Sequence, residues 1–241
     1  MATENGSDDM ATEQQAGRVV MVHGAYADGS SWADVIRLLQ QAGVSVMSVQ
    51  NPLTSLADDV AATRRALDRQ DGPTVLVGHS WAGTVISEAG DHPNVSALVY
   101  VAARAPDVAE DYGALASKFP APPASAGLAF ADGFGQLDEP TFLAHFANGV
   151  PEDRARVLYA VQGRIADTLF ATRTTVAAWR NRPCWYAVSM QDHTTSPELE
   201  RFVAKRMDAS TIEVDGGHLS MITHPRVIAD LILEAIRRTA E

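Results

Sequence analysis

The feature that most constrains this chain is the five-residue run Thr74–Gly78 (TVLVG), which has no polar interruption past its first residue. A strand that is apolar on both faces has to be covered on both faces. The same character marks Arg18–His23 (RVVMVH), Val44–Val49, Val95–Val101 (VSALVYV), Cys184–Ser189 (CWYAVS) and Thr211–Val214. Between these runs the spacing changes to that of a helix. Ser31–Ala42 places Val35, Ile36, Leu38 and Leu39 on one side and stops before Gly43, and Leu56–Arg69 does the same with Val60, Ala61, Ala62 and Leu67. Gly83–Ala89, Pro197–Met207 and Pro225–Arg238 complete the set. Alternation of this kind predicts an α/β fold: a mostly parallel sheet with helices on both faces, joined by right-handed crossovers.

The alternation breaks after Ala102. Residues 103–182 show no convincing buried strand, are punctuated by PAPPASAG at 120–127, and contain helical segments at Glu139–Ala147 and Pro151–Gly163. The expected organisation is therefore a core of 18–102 and 183–241, with a helical cap, 103–182, inserted between strands. Such an insertion leaves and re-enters the sheet at its carboxyl edge, where open α/β sheets bind ligands. A separate small helical domain is the competing reading. Residues 1–17 are polar, acidic and without periodicity, which predicts a disordered N-terminal tail.

Charge excludes one class of partner. The net charge is −11 and the pI about 5.0, with no Lys/Arg cluster, so nucleic acid is not expected. No apolar run reaches the ~18–20 residues of a membrane span. The N-terminal segment lacks the basic and apolar regions of a secretory signal. Cys184 is the single cysteine, so no internal disulfide forms and no cysteine metal site is expected. This fits a reducing compartment, and a cytoplasmic location is expected. Oligomeric state is not legible.

The chemistry-bearing motif is Val77-Gly78-His79-Ser80-Trp81-Ala82-Gly83, where an apolar strand turns abruptly into a helix. A nucleophile on such a turn needs small residues two positions to either side. Gly78 and Ala82 meet that need. The turn places the Ser80 hydroxyl at a helix N-terminus, which favours developing negative charge. Serine needs a base. Of the seven histidines, His218 is the candidate, in a glycine loop (DGGHL) between the last strand and the last helix. His224 and His92 precede prolines, His145 lies in the cap, and His79 and His23 read as structural. Asp192, just after the run 184–189, is the expected partner of the base, with Asp107 as its rival. The order Ser80, Asp192, His218 is the hydrolase order for this turn. The backbone amides of Ala25 and Trp81 are the expected oxyanion donors, with Gly24 allowing close approach.

With these residues placed, the chain resembles the α/β-hydrolase superfamily from about Arg18 to its end. The likeness is greatest to the compact serine esterases grouped with plant methylesterases and hydroxynitrile lyases. It is carried by Val22-His23-Gly24-Ala25, by Ser31 and Trp32 at the entry to the first helix, and by Gly78-His79-Ser80, Asp192 and Gly217-His218. The resemblance implies Ser-His-Asp ester hydrolysis without metal or cofactor. Lyases of the group carry Thr at the position of Gly24 and Lys at that of Leu219, so both residues favour an esterase.

The expected activity is cleavage of a small, largely apolar carboxylic ester through an acyl-enzyme. Cap aromatics (Phe119, Phe130, Phe134, Phe142, Phe146, Phe170) together with Tyr26 and Trp81 would supply an apolar pocket. Gly24, Tyr26, His145 and Phe142 are the expected substrate contacts. A lactonase, a C–C or C–N hydrolase or lyase on the same residues, and a ligand-binding receptor with little turnover are the alternatives. A metal enzyme is disfavoured, because no His-x-x-x-His pair or acidic cluster has ligand spacing.

Overall fold

The computed structural model describes residues 17–239; the expected N-terminal tail, apart from Gly17, lies outside the described residues. In chain order the first elements are β1 (Arg18–Val22), α1 (Ala33–Gln41), β2 (Ser45–Val49), α2 (Leu56–Leu67), β3 (Thr74–His79), α3 (Ala82–Ala89) and β4 (Val95–Val101). The insertion follows with α4 (Tyr112–Ala116), β5 (Leu128–Ala131), β6 (Phe134–Leu137), α5 (Glu139–Thr141), a π-helical turn (Phe142–Phe146), α6 (Glu152–Ala160) and β7 (Ile165–Ala166). The chain closes with β8 (Cys184–Ser189), α7 (Pro197–Arg206), β9 (Ser210–Val214), α8 (Ser220–Thr223) and α9 (Pro225–Thr239).

Six strands form one sheet in the order β2-β1-β3-β4-β8-β9, and every pairing is parallel. The central strands are apolar along their length because both of their faces are covered. All six residues of β3 are buried, as are all six of β8. Val19 to Val22 are each 0% exposed. Removing a side chain of this size from water contributes about 1.5–3 kcal/mol. Helix α1 packs with α9, and α2 packs with α3, so each face of the sheet carries its own helix pair. Side-chain caps mark the starts: the Ser55 hydroxyl accepts the Asp58 N–H ahead of α2, and Ser196 accepts the Leu199 N–H ahead of α7, where Pro197 occupies the first turn.

The stretch between β4 and β8 holds short strands beside the helical segments expected of the cap. It contains a three-stranded sheet, β5-β6-β7, with antiparallel pairings. Asp132 (φ 53°) and Gly133 (φ 77°) turn β5 into β6, and two left-handed residues in succession are what a tight hairpin of right-twisted strands requires. The helical segments predicted at 139–147 and 151–163 are present as α5 with its π-turn and as α6. No helix of the described residues is long and apolar enough to cross a membrane.

Candidate active site

Ser80 sits where β3 ends, with φ 55°, a left-handed conformation that non-glycine residues rarely adopt. Three backbone hydrogen bonds hold it there. The Ser80 N–H donates to Val101 O (3.2 Å), and Ser80 O accepts from the N–H of Gly83 (3.1 Å) and of Arg104 (3.1 Å). Neighbouring side chains are excluded by contact. A Cβ on Gly78 would lie 2.8 Å from Ala82 O, and one on Gly83 would lie 1.9 Å from Arg104 O. The sharp turn is therefore built into the packing, and strain at Ser80 is held by the elements around it.

His218 and Asp192 are brought together from loops on either side of β9. The buried His218 ring donates Nδ1–H to Asp192 Oδ2 at 2.6 Å. Asp192 is fixed in turn, because its Oδ1 accepts the N–H of Thr194 (2.6 Å) and of Thr195 (2.8 Å). This leaves His218 Nε2 buried and without a partner among the described residues. Asp107, the rival, is bound elsewhere. It pairs with Arg180 through both oxygens and accepts the Val108 N–H.

Two groups under this pair were not singled out by sequence. His79 was expected only to pack, yet its Nε2–H donates to the His218 carbonyl (3.0 Å) with the two rings 4.6 Å apart. Burial, reinforced by His218, lowers the His79 pKa well below the usual histidine value, so this ring is neutral. Glu200 is fully buried, and its Oε2 accepts the Ser189 N–H (3.0 Å). Burial first, then the nearby Asp192, push its carboxyl well above the usual carboxylate range.

The loop after β1 reaches Ser80 from the other side. His23 donates Nδ1–H to Gly24 O (2.9 Å) and accepts the Asn51 N–H at Nε2 (2.9 Å), while the Asn51 side chain donates to His23 O (2.9 Å). Burial lowers the His23 pKa, in keeping with a neutral structural ring. Gly24 is needed because a Cβ would lie 2.8 Å from Ser80 Cβ and 3.0 Å from His79 O. Neither the Ala25 nor the Trp81 amide donates a hydrogen bond among the described residues. The Trp81 indole is anchored from below by Asp59, whose Oδ2 accepts Nε1–H (2.8 Å) and whose Oδ1 accepts the Leu53 N–H (2.8 Å).

Ala25, Tyr26, Ser80 and Trp81 share the wall of one cavity of about 310 Å³. The insertion contributes Tyr112, Leu128, Leu137 and Phe170, and the segment after β8 contributes Thr194 to Ser196 and Leu199. Phe142 and His145, expected against the substrate, lie outside this wall. Phe142 is 0% exposed and packs against Phe146 (ring centres 4.8 Å apart, tilted) and edge-on to Tyr159 (5.6 Å), so it serves the insertion's own core. His145 faces His193 through their Nδ1 atoms at 3.4 Å. Gly24 is also no wall residue; it makes room for the loop. Arg104, which no motif in the sequence marks, is in the wall. Its position, a charged residue just past the carboxyl end of a buried strand, was the available signal. Among the described residues no three His, Cys, Asp or Glu side chains gather into a metal site.

The sequence profile of the alpha/beta hydrolase family matches residues 19–231. The chain belongs to this family. The matched span contains every residue of the site just described. Solved structures of the same fold include a pyrethroid hydrolase from Sphingobium faniae (TM-score 0.77, 19% identity, covering 93% of this chain and 99% of that one). Polyneuridine aldehyde esterase superposes with TM-score 0.79 at 17% identity, covering 91% of this chain and 99% of that one. A methylesterase from Arabidopsis does so with TM-score 0.76 at 16% identity, covering 92% and 100%. At these identities the likeness is one of fold. No curated protein matches the sequence.

Proposed function

We propose that this hydrolase-family protein is a serine esterase that cleaves a small carboxylic ester through an acyl-enzyme. The observation that carries the reading is the His218–Asp192 hydrogen bond, which directs the free Nε2 away from the carboxylate while Ser80 is held on a left-handed turn in the cavity wall. In this scheme His218 Nε2 takes the Ser80 proton as Oγ attacks the carbonyl carbon. The amides of Ala25 and Trp81 receive the oxyanion. Collapse breaks the bond to the alkoxy oxygen, and the alcohol departs with the proton from His218. Water, deprotonated by the same nitrogen, then releases the acid and frees Ser80.

The insertion acts as the cap of this site, with a mostly apolar inner surface suited to the body of an ester. The lyase alternative is disfavoured by Gly24, since a threonine there meets Ser80 itself. Cys184 is no competing nucleophile, because burial pushes its thiol up to about 12. We place the protein in the cytoplasm on the strength of that single buried thiol. The test is direct. A fluorophosphonate should modify Ser80, and Ser80→Ala should abolish both labelling and ester turnover with an unchanged circular dichroism spectrum. Undiminished turnover in that variant would end the proposal.

A further inference from the structure

Among the described residues, Arg104 is the one charged side chain in the cavity wall. Its backbone is locked to the Ser80 turn, through its N–H to Ser80 O and its own carbonyl against Gly83. Its guanidinium lies among three wall aromatics, 4.5 Å from the centre of Tyr112 and 5.4 Å from both Trp81 and Phe170. Little else satisfies it. One long hydrogen bond runs from Nη2 to Phe170 O (3.4 Å), and Nε is buried without a partner. Arg206 nearby is neutralised by Glu110 and Arg180 by Asp107, whereas Arg104 has no carboxylate within ion-pair distance among the described residues. Burial lowers its pKa to about 10, which still leaves it charged at neutral pH.

A cation partly withdrawn from water is stabilised by aromatic faces only in part, and its N–H groups remain to be used. The planar fork of N–H donors fits a carboxylate. We propose that Arg104 receives a free carboxylate on the substrate, so that the protein acts on esters of molecules that carry a second, unesterified acid group. The proposal rests on the reading of Ser80 as nucleophile, and it replaces a wholly apolar ester with an anionic one.

The experiment compares matched pairs of esters. Monomethyl adipate against methyl hexanoate places the carboxylate on the acyl side; 4-acetoxybutanoate against butyl acetate places it on the alcohol side. In at least one pair the wild-type kcat/KM should favour the anionic ester by about 10-fold or more, the effect of one charged hydrogen bond. Arg104→Met should bring that ratio to near one, and Arg104→Lys should retain part of it. Should Arg104→Met not fold, the wild-type ratios decide alone. Ratios at or below one in both pairs, with Ser80 labelled and the neutral esters turned over, overturn the inference and leave the esterase reading standing. If Ser80 is neither labelled nor active, calorimetry with monomethyl adipate on Ser80→Ala separates the two. Binding that weakens at least about 10-fold in Ser80→Ala/Arg104→Met supports the carboxylate site, and equal binding rejects it.

Discussion

Replacing Asp59 by alanine should destabilise the protein and slow it together. Asp59 is 0% exposed and accepts two hydrogen bonds of 2.8 Å, from the Trp81 indole and from the Leu53 backbone. A bond to a charged acceptor is worth about 1.5–3 kcal/mol, and alanine leaves both donors buried and unmet, so the loss is about 3–6 kcal/mol. Against a total stability of about 5–15 kcal/mol this is a large fraction. Burial, opposed by these two bonds, raises the Asp59 pKa, so part of the gain is spent on holding a charge out of water, which places the result toward the lower end. With about 2 °C per kcal/mol for a chain of this length, Tm should fall by about 6–12 °C at neutral pH. Asp59→Asn keeps one acceptor oxygen and turns an amide toward the other donor, so it should lose about half as much. Scanning calorimetry reads both. Because Trp81 carries a proposed oxyanion amide, kcat on a short ester should also drop about 10-fold or more, with KM changing less. An alanine variant melting within about 1 °C of wild type would refute the reasoning, because two stranded donors cannot be that cheap.

Two further outcomes follow from the same packing. Glu200 has its folded-state pKa raised, so the wild type should lose stability as pH climbs above the ordinary carboxylate range, where the unfolded state ionises first. Glu200→Gln cannot titrate and should show a flatter Tm profile from mildly acid to neutral pH; coincident profiles would contradict the assignment. Gly24→Thr should lower kcat/KM by about 100-fold without conferring cyanohydrin cleavage, because its Cβ would meet Ser80 Cβ at 2.8 Å. Activity within a few-fold of wild type in an ester assay would show that the loop yields.

The core of the fold was legible because each central strand is covered on both faces and so reads as a near-continuous apolar run. Val95–Val101 and Cys184–Ser189 are observed with the boundaries their apolar runs predict. The insertion was harder to read for a physical reason. Its strands are two to four residues long, and β5 is exposed along most of its length, with Phe130 52% exposed, so no run of inward-outward alternation is long enough to mark them. The Asp132-Gly133 pair was the legible sign of a hairpin there. Ser80, His218 and Asp192 could be placed from local motifs and chain order, since each follows a strand at the same sheet edge. Asp59 and Glu200 could not, because their significance lies in contacts that only the fold makes: the Trp81 indole for the first, and burial beside Asp192 for the second; for Arg104 the sequence marked the position but not the absent counter-charge.

The approach of the Arg104 carbonyl to the space a Cβ on Gly83 would fill has an evolutionary consequence. It pins the main chain of position 104 to the turn that carries Ser80 and leaves the side chain free to point into the cavity. If Arg104 has the proposed role, an exchange at 104 would change which esters are admitted while the turn that carries Ser80 stays in place. Saturation of this single codon is the shortest route to a library of altered preference.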